Sequence, residues 1–197
     1  MIRVALATKN PGKVREIQAI LDGDIEVVAP DASWTPPPED EPSYEGNALA
    51  KARSLATHMD MPSIADDSGI EVDALEGEPG PRSARFAGDD ATDQQNLDKL
   101  VGIVMQTPAD DRGARYRCVA ALVTPDGVEV ACEAAVEGRL IFAPRGTGGF
   151  GYDPIFVPHG DERTMAELTP TEKDAISHRG KAFRALIPTI MGLADRA

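Results

Sequence analysis

Two runs rich in β-branched and apolar residues, 115–124 and 128–136, flank Pro125-Asp126-Gly127, and this turn signal restricts the fold more than any other stretch. A chain that reverses there makes an antiparallel pair. The opening obeys a different rule: residues 2–7 read as a buried strand, 8–13 as a turn, and Val14, Ile17, Ile20 and Leu21 as one face of a helix. A strand-loop-helix start combined with a central hairpin excludes a purely parallel sheet. It predicts an α/β protein built on a mixed β-sheet flanked by helices.

The remaining segments fit that class. Residues 25–29 read as a second strand, and 30–43, which holds Pro36-Pro37-Pro38, as a surface loop. Ala48, Leu49, Ala52, Leu55, Ala56 and Met59 recur at helical spacing, which predicts an amphipathic helix over 44–60. A strand over 63–65 is expected to end in Asp66-Asp67-Ser68-Gly69, with 70–72 alternating like another strand and 77–88 forming a loop. Leu97, Leu100, Val101 and Val104 mark a helix, residues 138–142 a third strand after the hairpin, and 154–157 a short one. Ala182, Phe183, Leu186, Ile187 and Ile190 face the core from the last helix, which Pro188 should kink or end. At 197 residues the chain reads as one domain, 1–197, or two lobes sharing a sheet.

Charge and cysteine content narrow the function. A net charge of −13 argues against a protein that grips nucleic-acid backbone, yet it allows a small polyanionic substrate held by a few placed cations and a metal. Charges, Gly and Pro interrupt every hydrophobic stretch short of the roughly 18 residues of a membrane span. The apolar opening is too short for a signal sequence, so the expected location is the cytoplasm, with no membrane partner. Cys118 and Cys132 lie on either side of the central turn, and two reduced, buried thiols are expected.

Four groups of residues could carry chemistry. Thr8, Asn10 and Lys13 stand where a strand gives way to a helix, a place whose free N–H groups and dipole favour an anion. The spacing is not that of a Walker loop. Asp66 and Asp67, with Glu39, Asp40, Glu41 and Glu45 upstream, supply the hard oxygen ligands that Mg²⁺ prefers, and one Asp could accept a proton from an attacking water. The segment 146–151 matches Gly-x-Gly-x-x-Gly literally, but Asp153-Pro154 beyond it spoils the helix a dinucleotide fold needs. A tight loop against a flat ligand, with Phe150 or Tyr152 stacking on a base, is the better reading. Lys173 and Arg179 are further cations, and His178 and Arg179 could donate to a purine 6-oxygen.

Thr8-Lys9-Asn10-Pro11-Gly12-Lys13, Ala65-Asp66-Asp67-Ser68-Gly69, residues 79–88, residues 146–155 and Ile176-Ser177-His178-Arg179-Gly180 occur in that order. The series closely resembles the inosine triphosphate pyrophosphatase family, the non-standard purine nucleotide pyrophosphatases, from about Val4 to about Leu186. The resemblance implies an elongated mixed sheet with helices around it, two lobes with a central nucleotide-binding cleft, and a homodimer. It implies Mg²⁺-dependent hydrolysis of ITP, dITP and XTP to the monophosphate and pyrophosphate. By the same resemblance Thr8, Lys9, Asn10, Pro11, Gly12 and Lys13 hold phosphates, and Asp67 is the proton acceptor and a metal ligand. Ser68, Phe150, Gly151, Tyr152, Asp153, Lys173, His178 and Arg179 complete the nucleotide site. The second metal ligand is an upstream glutamate; counting back from Asn47 favours Glu39, with Glu41 and Glu45 open. Two other readings stand beside this one: a related pyrophosphatase acting on pyrimidine or modified nucleotides, and a non-catalytic nucleotide-binding module.

Overall fold

In a computed structural model of the chain, which describes residues 1–21 and 23–196 apart from the side chains of 195 and 196, the opening strand β1 (Ile2–Leu6) pairs in parallel with two neighbours. Ile2 lies opposite Ile25 of β2 (Ile25–Val28), and Ala5 opposite Ser63 of β3 (Ser63–Val72). Strands β4 (Gly113–Val123), β5 (Glu129–Leu140) and β6 (Phe156–Pro158) complete a sheet of order β2-β1-β3-β4-β5-β6, with β5 and β6 antiparallel. The mixed sheet and its flanking helices are those expected from the sequence.

Helix α1 (Pro11–Ile20) starts where the turn chemistry dictates: the Asn10 side chain accepts from the backbone N–H groups of Gly12 and Lys13, and Pro11 fills the first turn, where a missing N–H costs nothing. Helix α2 (Tyr44–Met59) is capped by Ser43, and α3 (Asp93–Val104) by a reciprocal Thr92/Gln95 capping box. Helices α4 (Pro170–Ile176) and α5 (His178–Met191) follow the last strand, and a 3₁₀ turn, Gly192–Arg196, comes after them.

Several boundaries differ from the sequence reading. β3 runs unbroken through Asp66-Asp67-Ser68-Gly69, so these residues are strand and not turn; the sheet ladder outweighs the turn preference of Asp and Gly there. Of the expected strand over 138–142, residues 138–140 are the end of β5 and 141–142 lie outside it; Gly138 lets Val157 and Phe156 approach closely. Gly80–Arg85 is a 3₁₀ turn, and Pro154 and Ile155 likewise belong to a 3₁₀ turn ahead of β6. Of the two outcomes expected of Pro188, ending the helix does not occur, since α5 continues through it to Met191. Both cysteines are free as expected, but Cys132 is only half-buried.

The chain divides into two compact units. The first, Met1–Asp67, Cys118–Ala134 and Arg179–Ala197, has a core on each face of its strands. Val4, Leu6, Ile64, Cys118, Ala120 and Leu122 point to the side of α1 and α5, where Ile17, Phe183 and Leu186 meet them. Ala5, Ala7, Ala65, Val119 and Ala121 point to the side of α2 and pack on Ala48, Ala52 and Leu55. Period two along each strand produces this separation, and small residues on both partners let α2 lie close. The second unit, Ser68–Arg117 and Ala135–His178, closes around Ile70, Leu97, Leu100, Tyr116, Tyr152 and Phe156. Each fully buried Leu or Phe contributes about 1.5–3 kcal/mol relative to exposure. Among the described residues no helix is long and apolar enough to cross a membrane.

Candidate active site

Consecutive residues of a strand face opposite ways, and β3 uses this to separate its two aspartates. Asp66 follows Ile64 onto the α1/α5 side, and Asp67 follows Ala65 onto the α2 side. The pair expected to act together therefore faces two environments.

On the first side, Asp66 Oδ2 takes the Lys13 ammonium at 3.1 Å and the Arg179 Nε–H at 3.1 Å. Arg179 also donates to Glu16 of α1 at 2.5 Å, and the Cys118 thiol points at the same Asp66 oxygen from 3.9 Å. Burial opposes ionisation of Asp66, but Lys13, Arg179 and Lys51 outweigh it and hold the carboxyl well below the usual range. An ionised Asp66 thus fixes the cation at the head of α1 and the buried guanidinium of α5.

On the other side, Lys51 of α2 reaches Glu39 Oε1 at 2.5 Å and Asp67 Oδ1 at 3.2 Å. Asn47, one turn earlier, donates to Asp67 Oδ2 at 3.1 Å. Burial is the largest influence on Asp67 and raises its pKa despite Lys51 and Lys13, with Glu39 adding to the rise. Lys51 prefers its proton more than a free lysine, because Asp67, Glu39 and Asp66 together outweigh its own desolvation. A buried carboxylate with heightened proton affinity is a suitable acceptor for a proton from water.

Two carboxylate oxygens on one ammonium show that Glu39 and Asp67 converge on a single cation position. Glu39 is thereby distinguished from Glu41 and Glu45, both of which are exposed. Among the described residues no group of three or more His, Cys, Asp or Glu is arranged as a metal cage. Two hard oxygen donors suit an ion that takes one or two carboxylates and fills its remaining positions with water and phosphate, so the residues present fit a divalent cation.

The glycine-rich segment of the second unit forms a capped loop. Asp153 Oδ2 accepts from the Phe150 backbone N–H at 2.9 Å and from Lys173 Nζ of α4 at 2.7 Å, and that ammonium lies 5.0 Å from the Phe150 ring centre. Gly149 has φ +69°, and a Cβ there would fall 2.0 Å from Asp153 Oδ2, so only glycine lets the carboxylate cap the loop. Of the two aromatic rings expected to meet a base, Tyr152 is buried in the core with its hydroxyl donating to Ser83 O at 2.7 Å. Phe150 is the half-buried one. His178 is buried and stacks on Tyr116, with centroids 4.7 Å apart and planes within 7°. Ser68 is half-buried on β3, and Gly151 has φ +61°. Thr8, Lys9, Asn10, Pro11 and Gly12 lie at the head of α1, with Thr8 accepting from the Asn10 N–H.

The sequence reading missed Lys51, Asn47 and Glu16. A signal existed for the first two: they sit four residues apart within the apolar register of α2, where a lysine and an asparagine are costly unless partnered.

Residues 4–189 match the Ham1 family. A relative from Streptomyces coelicolor named dITP/XTP pyrophosphatase is 50% identical, over 98% of this chain and 99% of its own. Another of the same name from Corynebacterium efficiens is 45% identical over 99% and 100%. A solved HAM1 protein from Coxiella burnetii superposes with a TM-score of 0.85 at 37% identity, covering 99% of this chain and all of that one.

Proposed function

This chain belongs to the Ham1 family, and on that premise we propose that it is a nucleoside triphosphate pyrophosphatase which hydrolyses ITP, dITP and XTP to the monophosphate and pyrophosphate. The relatives' shared name supports the reaction and the substrate class. The observation that carries the assignment is the convergence of Glu39 and Asp67 on one cation position beside a second, separately neutralised carboxylate, Asp66. A module that only bound nucleotide would have no need of the adjacent Asp66 and Asp67 carboxylates.

Mg²⁺ is the proposed metal, held by Asp67 and Glu39, and when bound it supplies positive charge to the triphosphate oxygens. Thr8 to Lys13 bind phosphates with the N–H groups at the head of α1 and the Lys13 ammonium. The Asp67 carboxylate accepts a proton from the attacking water as its oxygen bonds to the α-phosphorus. The bond from that phosphorus to the oxygen bridging to the β-phosphorus breaks, and pyrophosphate leaves with the electron pair. Lys13 and Lys173 offset the charge that collects on it. Asp66 keeps Lys13 and Arg179 in place.

The nucleotide is held further by Ser68 and by the 150–153 loop, where Phe150 supplies the stacking face, and by His178 and Arg179, which are assigned to the purine 6-oxygen. Adenine presents an amino group there and would leave buried donors unpaired, at about 1–3 kcal/mol each. Residues 1–197 act as one catalytic domain, as a cytoplasmic homodimer. The net charge of −13 supports a role on free nucleotides and not on nucleic acid.

The test is pyrophosphate release from inosine, xanthosine, guanosine, adenosine and thymidine triphosphates, with Mg²⁺ and with chelator. Mg²⁺-dependent release confined to the first two is expected. Orthophosphate as product, or turnover indifferent to the base, overturns the reading.

A further inference from the structure

We propose that Asn47 is a positioning residue that holds the Glu39 and Asp67 carboxylates together on one cation position. The proposal rests on the metal assignment above and adds how the two ligands, from a loop and a strand, are kept in register.

Asn47 is 1% exposed. Its Nδ2 donates to Asp67 Oδ2 at 3.1 Å and to Glu41 O at 3.3 Å, while its Oδ1 accepts from Glu41 N at 3.1 Å. Both amide hydrogens and the carbonyl are thereby used. Toward Glu41 the side chain acts as a second strand would, binding both backbone groups of one residue. The orientation of the amide is set by chemistry, because a flipped Asn47 would turn its oxygen toward a carboxylate. One amide therefore ties the loop holding Glu39, two residues before Glu41, to one oxygen of Asp67. The other Asp67 oxygen remains on the side shared with Glu39 through Lys51, one helical turn further along α2.

Gly46 makes the same seam tight. A Cβ at 46 would lie 2.8 Å from Glu41 Cβ, so the loop rests directly on the first turn of α2. Asn96 offers an internal contrast in the second unit: its amide binds the backbone of Ala84 and Ala87 in the same two-bond manner and touches no acid. Asn96 clasps a loop; Asn47 clasps a loop and orients a carboxylate. Other side chains fail at this position for separate reasons. Aspartate has no hydrogen to give Asp67, and alanine leaves the Glu41 backbone and Asp67 Oδ2 without these bonds.

The experiment reads metal binding directly. Mn²⁺ is titrated by electron paramagnetic resonance into the full-length protein with an inosine triphosphate analogue carrying a methylene between the α- and β-phosphorus atoms. Wild type, Asn47→Ala, Gly46→Ala and Asn96→Ala are compared, with thermal melting and amide hydrogen exchange over residues 38–42. The expected result is Mn²⁺ affinity about 10- to 100-fold weaker in Asn47→Ala, the cost usual for removing the partner of a metal ligand. Exchange over 38–42 should quicken, and turnover should climb back as metal is raised. Gly46→Ala, which displaces the loop but keeps the amide, should weaken Mn²⁺ in the same direction and decides the matter if Asn47→Ala does not fold. Asn96→Ala should lower the melting temperature with Mn²⁺ affinity unchanged. Affinity within twofold of wild type in both folded 46 and 47 variants overturns the proposal, as does an equal loss in Asn96→Ala. A wild type that binds Mn²⁺ yet releases no pyrophosphate defeats the proposed function and leaves the positioning result standing on its own reading.

Discussion

Asp66 and Asp67 are neighbours in β3 whose carboxylates serve opposite faces of it: Asp66 is locked by Lys13 and Arg179, and Asp67 is shared between Lys51 and Asn47. Asp66 balances buried cations, and burial raises the proton affinity of Asp67.

Exchanging each for its amide should therefore divide the loss differently between stability and turnover. Asp66→Asn leaves Arg179 without one of its carboxylate partners and Lys13 without its own, and is expected to cost about 3–5 kcal/mol, read as a lower melting temperature. Asp67→Asn should reduce turnover by about 10²–10⁴-fold with far less change in melting. Unchanged turnover in Asp67→Asn ends its assignment as the proton acceptor.

The two rings of the 150–153 loop should also respond differently. Phe150→Ala is expected to raise KM for inosine triphosphate by about tenfold or more, a stacking loss of about 1–3 kcal/mol. Tyr152→Phe removes only the bond to Ser83 O and should cost about 1 kcal/mol of stability while KM stays put. A KM effect from Tyr152→Phe alone would reassign the base contact.

Gly149→Ala tests the capped loop. A methyl 2.0 Å from Asp153 Oδ2, on a backbone at φ +69°, must displace the carboxylate that holds both Phe150 and Lys173. Weaker nucleotide binding is expected by isothermal titration with the methylene analogue, and binding equal to wild type refutes the loop's role.

Acid should expose the cluster around Arg163. Bonds from Arg163 hold Asp161 at a pKa of about 2, below its ordinary 3.8, and bonds from Thr169, then Arg163, hold Glu172 at about 2, below 4.5. Carboxylates depressed on folding stabilise fully above their unfolded values, and that contribution is lost as pH falls from about 4.5 to about 2. Arg163→Ala should thus melt below wild type at pH 7, with the gap closing toward pH 2. A gap independent of pH excludes these pairs as its source.

The order of strands and helices was legible in the sequence because hydrophobic period and turn residues are local properties. Asn10-Pro11 announced α1, Pro125-Asp126-Gly127 announced the reversal between β4 and β5, and the motif series announced the family. What local signals could not decide is whether Asp66 to Gly69 turn or extend: the residues favour a turn, and the hydrogen bonds of a sheet, made with partners distant in sequence, override them. From that extended path follows the opposite facing of the two aspartates. The identity of their partners follows too, since Lys51 and Asn47 come from a helix whose sequence reads only as amphipathic. Counting favoured Glu39 and left Glu41 and Glu45 open; the contact of Glu39 with Lys51 is a tertiary feature that counting does not contain. Period and composition are written along the chain, so the sequence alone determined the elements and the chemistry available. Which carboxylate meets which cation depends on packing between elements far apart in the chain, and the tertiary structure decided it.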